Sequence, residues 1–173
     1  GQRVKETLFE EITKNRNLPG VVSRVWSVSG GHVQRPEQYA LSGFVLEALT
    51  SGDIRIKSRG AVWRRYAAVE EVLALSIPSW DESGFRLLES GGHLIELTAL
   101  AEHVAAEIPG TRVISPTHPT VQPEPDHYFS NSPDWWEVAR RRGLSLLDLK
   151  KQVHNVVTSL KNRGAPEPSG FRL

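Results

Sequence analysis

The chain has 173 residues, 39% hydrophobic and 24% charged, with a formal net charge of +1. That is enough for one domain with a real core or for part of a larger one, and it excludes the one-signed surface typical of nucleic-acid binders. Cysteine is absent, which rules out disulfides, thiolate catalysis and thiolate-held metals, and methionine is absent even at position 1, so the chain reads as trimmed, processed or a fragment.

Val4, Leu8, Phe9 and Ile12 share one helical face, which predicts a helix over roughly residues 2 to 15, broken at Asn17-Leu18-Pro19-Gly20. The β-branched run 21–28 predicts a strand largely buried on both faces, and Ser29-Gly30-Gly31-His32 a loop leaving its carboxyl end. A strand following a helix in this way points to α/β architecture with a parallel sheet, and in such sheets ligands bind beyond the carboxyl ends of the strands. Arg35-Pro36-Glu37 starts a second helix, with Tyr39, Leu41, Phe44, Val45, Ala48 and Leu49, that ends at Ser51-Gly52. A short strand carries Ile54 and Ile56. Val69, Val72, Leu73 and Ile77 mark a helix that stops before Pro78, and Ser79 to Gly84 reads as a polar loop. Phe85 to Glu89 reads as a strand and Gly91-Gly92 as a turn; an amphipathic helix then runs from Leu94 through Leu97, Leu100 and Val104 to Ile108. Arg112 to Ser115 is a short strand. Four prolines make 116–127 an extended loop. Trp135 to Arg142 is a short helix whose terminal Arg140-Arg141-Arg142 suits the helix dipole. Ser145 to Asp148 resembles a capping box that opens a last helix with Leu146, Leu149, Val153, Val156 and Leu160; the tail 164–173 reads as mobile. No internal repeat is present. No apolar run approaches the ~20 residues of a membrane span and the N-terminus lacks the apolar core of a signal peptide, so the expected setting is the cytoplasm, without membrane or nucleic-acid partners.

Residues 54–71 are the most informative stretch. They read Ile54-Arg55-Ile56-Lys57-Ser58-Arg59-Gly60-Ala61-Val62-Trp63-Arg64-Arg65-Tyr66-Ala67-Ala68-Val69-Glu70-Glu71. A short strand, a Gly turn, an arginine, an aromatic and an acidic pair at a helix start follow one another. This order resembles the substrate-side signature of the extended short-chain dehydrogenase/reductases, the sugar-nucleotide epimerases and dehydratases. Arg24 to Gly30 is similar to that superfamily's Arg-x-aromatic-Asn-x-x-Gly string, Phe85 to Gly92 to its Tyr-Asn-x-Gly-x-Gly strand, Asn131 to Leu144 to its late Lys-Ala-x-x-x-Leu-Gly-Trp element, and Leu146 to Leu160 to its closing helix. These elements fall in the family's order over residues 1 to about 160.

The resemblance implies the C-terminal part of a Rossmann-type parallel sheet joined to a small mixed α/β substrate-binding domain. Residues 1–30 would hold the last helix and strand of the Rossmann core, 31–66 a substrate-binding segment, 67–92 the return helix and strand, and 93–163 the rest of the substrate-binding part. It implies an NAD- or NADP-dependent epimerase, dehydratase or reductase acting on a nucleotide sugar, homodimeric when intact, with most of the cofactor held by an upstream Rossmann half. The cofactor carries the hydride and the protein holds the sugar in register with it.

For individual residues, the resemblance places Arg64 on the arginine that grips the diphosphate, a fitting task for a fork of charged donors. Val25, Trp26, Ser27 and Val28 fall beside the nicotinamide, with Ser27 at the Asn that touches substrate. Tyr39, Phe44 and Ile56 fall on elements lining the nucleotide pocket, where core packing is the competing reading. Trp26, Trp63, Trp135 and Trp136 read as packing residues. Arg65 stands where the family has Asp, and is read as either added charge or a solvent-facing side chain. Glu70 and Glu71 replace an Asp pair; a first-turn carboxylate also simply suits the helix dipole.

Other family features are absent. No segment reads strand, G-x-x-G-x-x-G, helix. The catalytic tyrosine and lysine belong at the first helix. If Glu6 matches the family's glutamate, Gln2 falls on the lysine; if Lys5 is the lysine, Gly1 falls on the tyrosine. In either register the chain as given lacks the proton-transferring tyrosine, and the catalytic residues are expected upstream of Gly1. The family's second arginine, in the late loop, is replaced by a segment holding Gln122. The six histidines show no metal-ligand spacing, and no metal is expected. An alternative is therefore a non-catalytic relative that kept the fold as a binding or regulatory protein.

Overall fold

The computed structural model describes residues 1–77, 84–116 and 124–164. Most of the predicted 79–84 and 116–127 loops, with His118 and Gln122, and the predicted tail beyond Gly164 lie outside the described residues. The fold is mixed α/β, with helices packed on small, mainly parallel sheets.

Helix α1 (Gln2–Arg16) ends on Asn17 in the left-handed conformation, its N–H donating back to the Lys14 carbonyl. Its apolar stripe is not buried: Val4, Leu8, Phe9 and Ile12 are all exposed, and Thr13 is the buried residue. The next run corrects the sequence-based expectation of one strand buried on both faces. It divides into β1 (Gly20–Arg24) and β2 (Ser27–Ser29), which belong to different sheets. The chain changes partner at Val25-Trp26: the Arg24 carbonyl still accepts from Ser90 N–H at 2.8 Å, while Trp26 N–H turns to the Ser90 hydroxyl at 3.0 Å. With β1 paired along one edge only, its side chains stay half-buried.

A single 3-10 turn, Pro36–Gln38, precedes α2 (Ala40–Ser51), so Tyr39 is the residue entering the helix rather than part of it. Gly52, at φ 72°, closes α2 and releases the chain into β3 (Asp53–Arg55). The strand β4 (Val62–Ala68) comes next, where the sequence predicts no strand between the Gly turn and the helix start. Helix α3 (Val69–Ser76) follows, then β5 (Phe85–Glu89), as expected. His93–Glu96 is not the first turn of a helix but a strand, β6, antiparallel to β4; helix α4 (Leu97–Glu107) starts only where the Glu96 carboxylate accepts from Thr98 and Ala99 N–H. Leu94 and Leu97 are spaced as on a helix, but the open edge of β4 supplies hydrogen-bond partners that local periodicity does not show. The remaining elements are β7 (Arg112–Ile114), β8 (Asp126–Tyr128), α5 (Asp134–Arg141) and α6 (Leu149–Asn162). Asp148 caps α6 by accepting from Lys151 N–H at 2.8 Å, so Leu146 lies outside the helix and packs against the cluster that holds Trp135 and Leu75.

Strand β4 organises the molecule. On one edge it pairs with antiparallel β6; on the other it pairs first with β8 (Val62 to Arg64) and then with β2 (Tyr66 to Ala68), both parallel. Separate parallel pairs are β1 with β5 and β3 with β7. The main core gathers α2, α4 and α6 around Leu41, Val45, Ile54, Leu100, Val104 and Val156. A second cluster forms around Trp135, Leu75, Leu88 and Ala67. Gln152 on α6, 1% exposed, ties both edges of this arrangement: it accepts from the Ser29 hydroxyl at 2.6 Å and donates to the carbonyls of Tyr66 and Leu147.

Candidate functional site

Strand alternation decides what the two adjacent arginines do. Residues 62, 64 and 66 point to one face of β4 and 63, 65 and 67 to the other. Val62, Arg64 and Tyr66 line a cleft of about 670 Å³, together with the 25–28 segment, Tyr39 and Tyr128. Arg65 lies on the opposite face, its guanidinium 5.5 Å from the Phe129 ring centre and 5.0 Å from that of Trp136. It donates to the Gly92 carbonyl and to Asn131, and burial lowers its pKa from the usual arginine value. Arg65 is therefore neither solvent-facing nor part of the cleft; it staples β4 to the segment that leads into α5.

Arg64 is held by its guanidinium. Nη1 donates to the Trp63 carbonyl at 2.9 Å and to the Asp126 carbonyl at 3.2 Å; Nη2 donates to Asp126 Oδ2 at 2.6 Å. The guanidinium also lies 5.5 Å from the centre of the Tyr128 ring. Its side chain is 22% exposed, against 58% for Asp126, so the carboxylate is the outer member of the pair. Nε–H and one Nη2 hydrogen are not used in these bonds, and a guanidinium presents five N–H donors. Beneath it, burial pushes the Tyr66 hydroxyl up to about 12, with Arg64 pulling the other way. Tyr66 thus keeps its proton at neutral pH and is no base.

The structure brings Val25, Trp26, Ser27, Val28, Tyr39 and Arg64 to this one cleft. It does not bring Phe44 or Ile56 there. Phe44 is 7% and Ile56 6% exposed, both in the main core, because α2 turns that face inward and Ile56 N–H extends the β3–β7 pairing to the Ile114 carbonyl. Sequence reading missed Asp126 and Tyr128. The signal available was the aromatic run His127-Tyr128-Phe129, masked by the surrounding prolines. Trp135 is fully buried packing, whereas Trp136 is 37% exposed and serves Arg65.

A second cleft, of about 840 Å³, adjoins the first and shares Val25, Trp26 and Tyr128 with it. Its floor is an ion network. Arg24 Nε and Nη2 donate to both oxygens of Glu6, the shorter bond 2.6 Å, and Nη1 donates to Glu89 at 3.1 Å. The Arg24 hydrogen bond holds the Glu6 carboxyl below the usual carboxylate range, and Glu6 and then Glu89 raise the pKa of Arg24. Gln2 stands on the cleft wall one helical turn before Glu6.

Glu71 does structural work. It is 6% exposed and accepts from Ala68 N–H at 3.0 Å and from Leu147 N–H, joining the end of β4 to the segment before α6. Burial raises its pKa; the two backbone N–H groups oppose that rise. Among the described residues no group of histidine, aspartate and glutamate could hold a metal ion, and no described helix is long and apolar enough to cross a membrane.

No family model and no curated protein matches the chain. Solved structures do. The UDP-glucose 4-epimerase of Thermotoga maritima, solved with UDP-glucose, superposes with a TM-score of 0.70 at 14% identity over 93% of this chain and 52% of its own. The dTDP-glucose 4,6-dehydratase of Bacillus anthracis, solved with NAD, gives 0.71 at 13% identity over 92% and 50%. The UDP-N-acetylglucosamine 4-epimerase of Methanobrevibacter ruminantium gives 0.70 at 15% over 91% and 51%. The chain has the fold of one half of these sugar-nucleotide epimerases and dehydratases and spans about half the length of the structures it matches.

Proposed function

We propose that this chain is the substrate-side half of an NAD(P)-dependent epimerase, dehydratase or reductase that acts on a nucleotide sugar. The observation that carries the reading is the convergence of Arg64 and the 25–28 segment on one cleft. Residues far apart in sequence, matched to the family separately, meet around one volume. Arg64 would take the diphosphate, using donors beyond those given to Trp63 and Asp126. Ser27 and Tyr39 would line the path of the sugar nucleotide.

The residues present fit one end of a nicotinamide dinucleotide. The second cleft, with Val25 and Trp26 on one wall and Gln2 on another, offers space for a flat ring. The chain has no Gly-rich turn to cradle the dinucleotide phosphates, so these residues would orient the ring and exclude water around it. When bound, the nicotinamide supplies hydride transfer.

The test is calorimetry of the intact protein with UDP-glucose and dTDP-glucose. Arg64→Ala is expected to weaken the nucleotide sugar that binds by at least ~1.5 kcal/mol, the scale of a charge-assisted hydrogen bond. Unchanged affinity with the fold intact would refute the role.

A non-catalytic relative is the second reading, and Gln2 is the observation that favours it. In the register that matches Glu6 to the family's glutamate, Gln2 stands at the family's lysine, one helical turn before a carboxylate bonded to Arg24. A neutral amide lacks the positive charge that would favour a neighbouring tyrosinate. The coding sequence upstream of Gly1 separates the two readings: a Gly-rich turn and a tyrosine shortly before Gly1 support the enzyme, and an encoded chain lacking both sinks it.

A further inference from the structure

Tyr128 occupies a position that the anion-gripping role of Arg64 does not account for. It sits at the end of β8, a three-residue strand exposed throughout, and is itself 50% exposed. Its ring stands edge to face against Trp26, with centroids 5.0 Å apart and planes at 75°. The Arg64 guanidinium lies 5.5 Å from the same ring. With Val25 and Trp26, Tyr128 belongs to the wall common to both clefts. A ligand crossing from the Arg64 cleft to the Gln2 cleft must pass the Trp26–Tyr128 pair.

We propose that Tyr128, backed by Trp26, is the contact surface for the sugar ring of the ligand. The inference rests on Arg64 being the diphosphate anchor. The Arg64 guanidinium lies 5.5 Å from the Tyr128 ring centre, so an anion held by Arg64 brings the group bonded to it beside that ring. A pyranose has the right chemistry for that place: its C–H face packs on an aromatic ring while its hydroxyls stay wet. Three features make Tyr128 a rigid platform: the edge contact from Trp26, the cation beside the ring, and the pairing of β8 to β4 through Arg64↔Tyr128. Trp26 is in turn fixed through its backbone N–H to Ser90.

The experiment compares two ligands, UDP and UDP-glucose, on the intact protein by titration calorimetry. The readout is the ratio of their affinities, which isolates the sugar from the nucleotide and the diphosphate. Tyr128→Ala should lower the preference for UDP-glucose over UDP by about threefold or more, the scale of one aromatic contact. Tyr128→Phe should preserve the preference, because the ring and not the hydroxyl makes the contact. If Tyr128→Ala leaves the ratio unchanged, or weakens both ligands equally, the sugar platform is overturned while the Arg64 reading stands. If wild type binds neither these ligands nor dTDP and dTDP-glucose, or Arg64→Ala leaves binding of the nucleoside diphosphate unchanged, the anchor itself fails and the platform falls with it.

Discussion

Glu71 bears on whether the end of β4, and with it the Arg64 cleft, is held by one buried carboxylate. Replacing it with Ala removes the acceptor from two backbone N–H groups. Ala68 is 2% exposed, so its orphaned N–H gets no water, and leaving that buried donor without an acceptor costs about 1–3 kcal/mol. The Leu147 amide is half-buried and reachable by water, so its loss adds only about 1 kcal/mol. Relief of the carboxylate's own burial works in the opposite direction, leaving a net loss of about 2 kcal/mol. For a chain of this length that lowers Tm by roughly 4–8 °C in a thermal melt followed by circular dichroism. The pH dependence has a definite sign. The folded-state pKa of Glu71 is raised, so its contribution is fully present below the unfolded value and is lost as pH rises through the folded one. The Tm gap between wild type and Glu71→Ala should therefore be widest at acid pH and narrow toward neutrality. An unchanged Tm at both ends of that range, or a gap that widens with rising pH, would refute the role given to this carboxylate.

Two further substitutions probe the frame around the cleft. Gly92 has φ 100°, and a Cβ there would run into the Tyr66 carbonyl and the Ala67 nitrogen; Gly92→Ala is expected to cost at least about 2 kcal/mol in denaturant unfolding. Gly52→Ala serves as its control: at φ 72° the added Cβ meets nothing closer than 4.0 Å, so the cost is only about 1 kcal/mol. Gln152→Leu leaves the carbonyls of Tyr66 and Leu147 and the buried Ser29 hydroxyl without their partner. It is expected to destabilise by about 2–4 kcal/mol, read from the same unfolding curves.

The helices were largely legible in the sequence because their information is local. The 3.6-residue apolar period of α2 and α6, the Gly52 stop and the acidic first turn of α3 each reside within one segment. The strand β5 was legible for the same reason. Strands whose partners come from far away were not. Strand β4 carries two adjacent arginines, and β8 is polar and set among prolines; their identity as strands depends on edges that meet only after folding. The same cause divided the 21–28 run between two sheets and turned His93–Glu96 from a helix start into β6.

The sequence by itself determined the α/β class, the family resemblance and the choice of Arg64, because residue order and chemistry suffice for those. Tertiary structure alone decided that Arg64 and not Arg65 faces the cleft, since a strand sends neighbouring side chains to opposite faces. It alone placed Phe44 and Ile56 in the core and set Asp126 and Tyr128 beside Arg64. It also locked Glu6, one turn beyond Gln2, onto Arg24. Each of these depends on which elements pack together, and contacts across 60 or more residues, such as Arg64 with Asp126, leave no periodic trace along the chain.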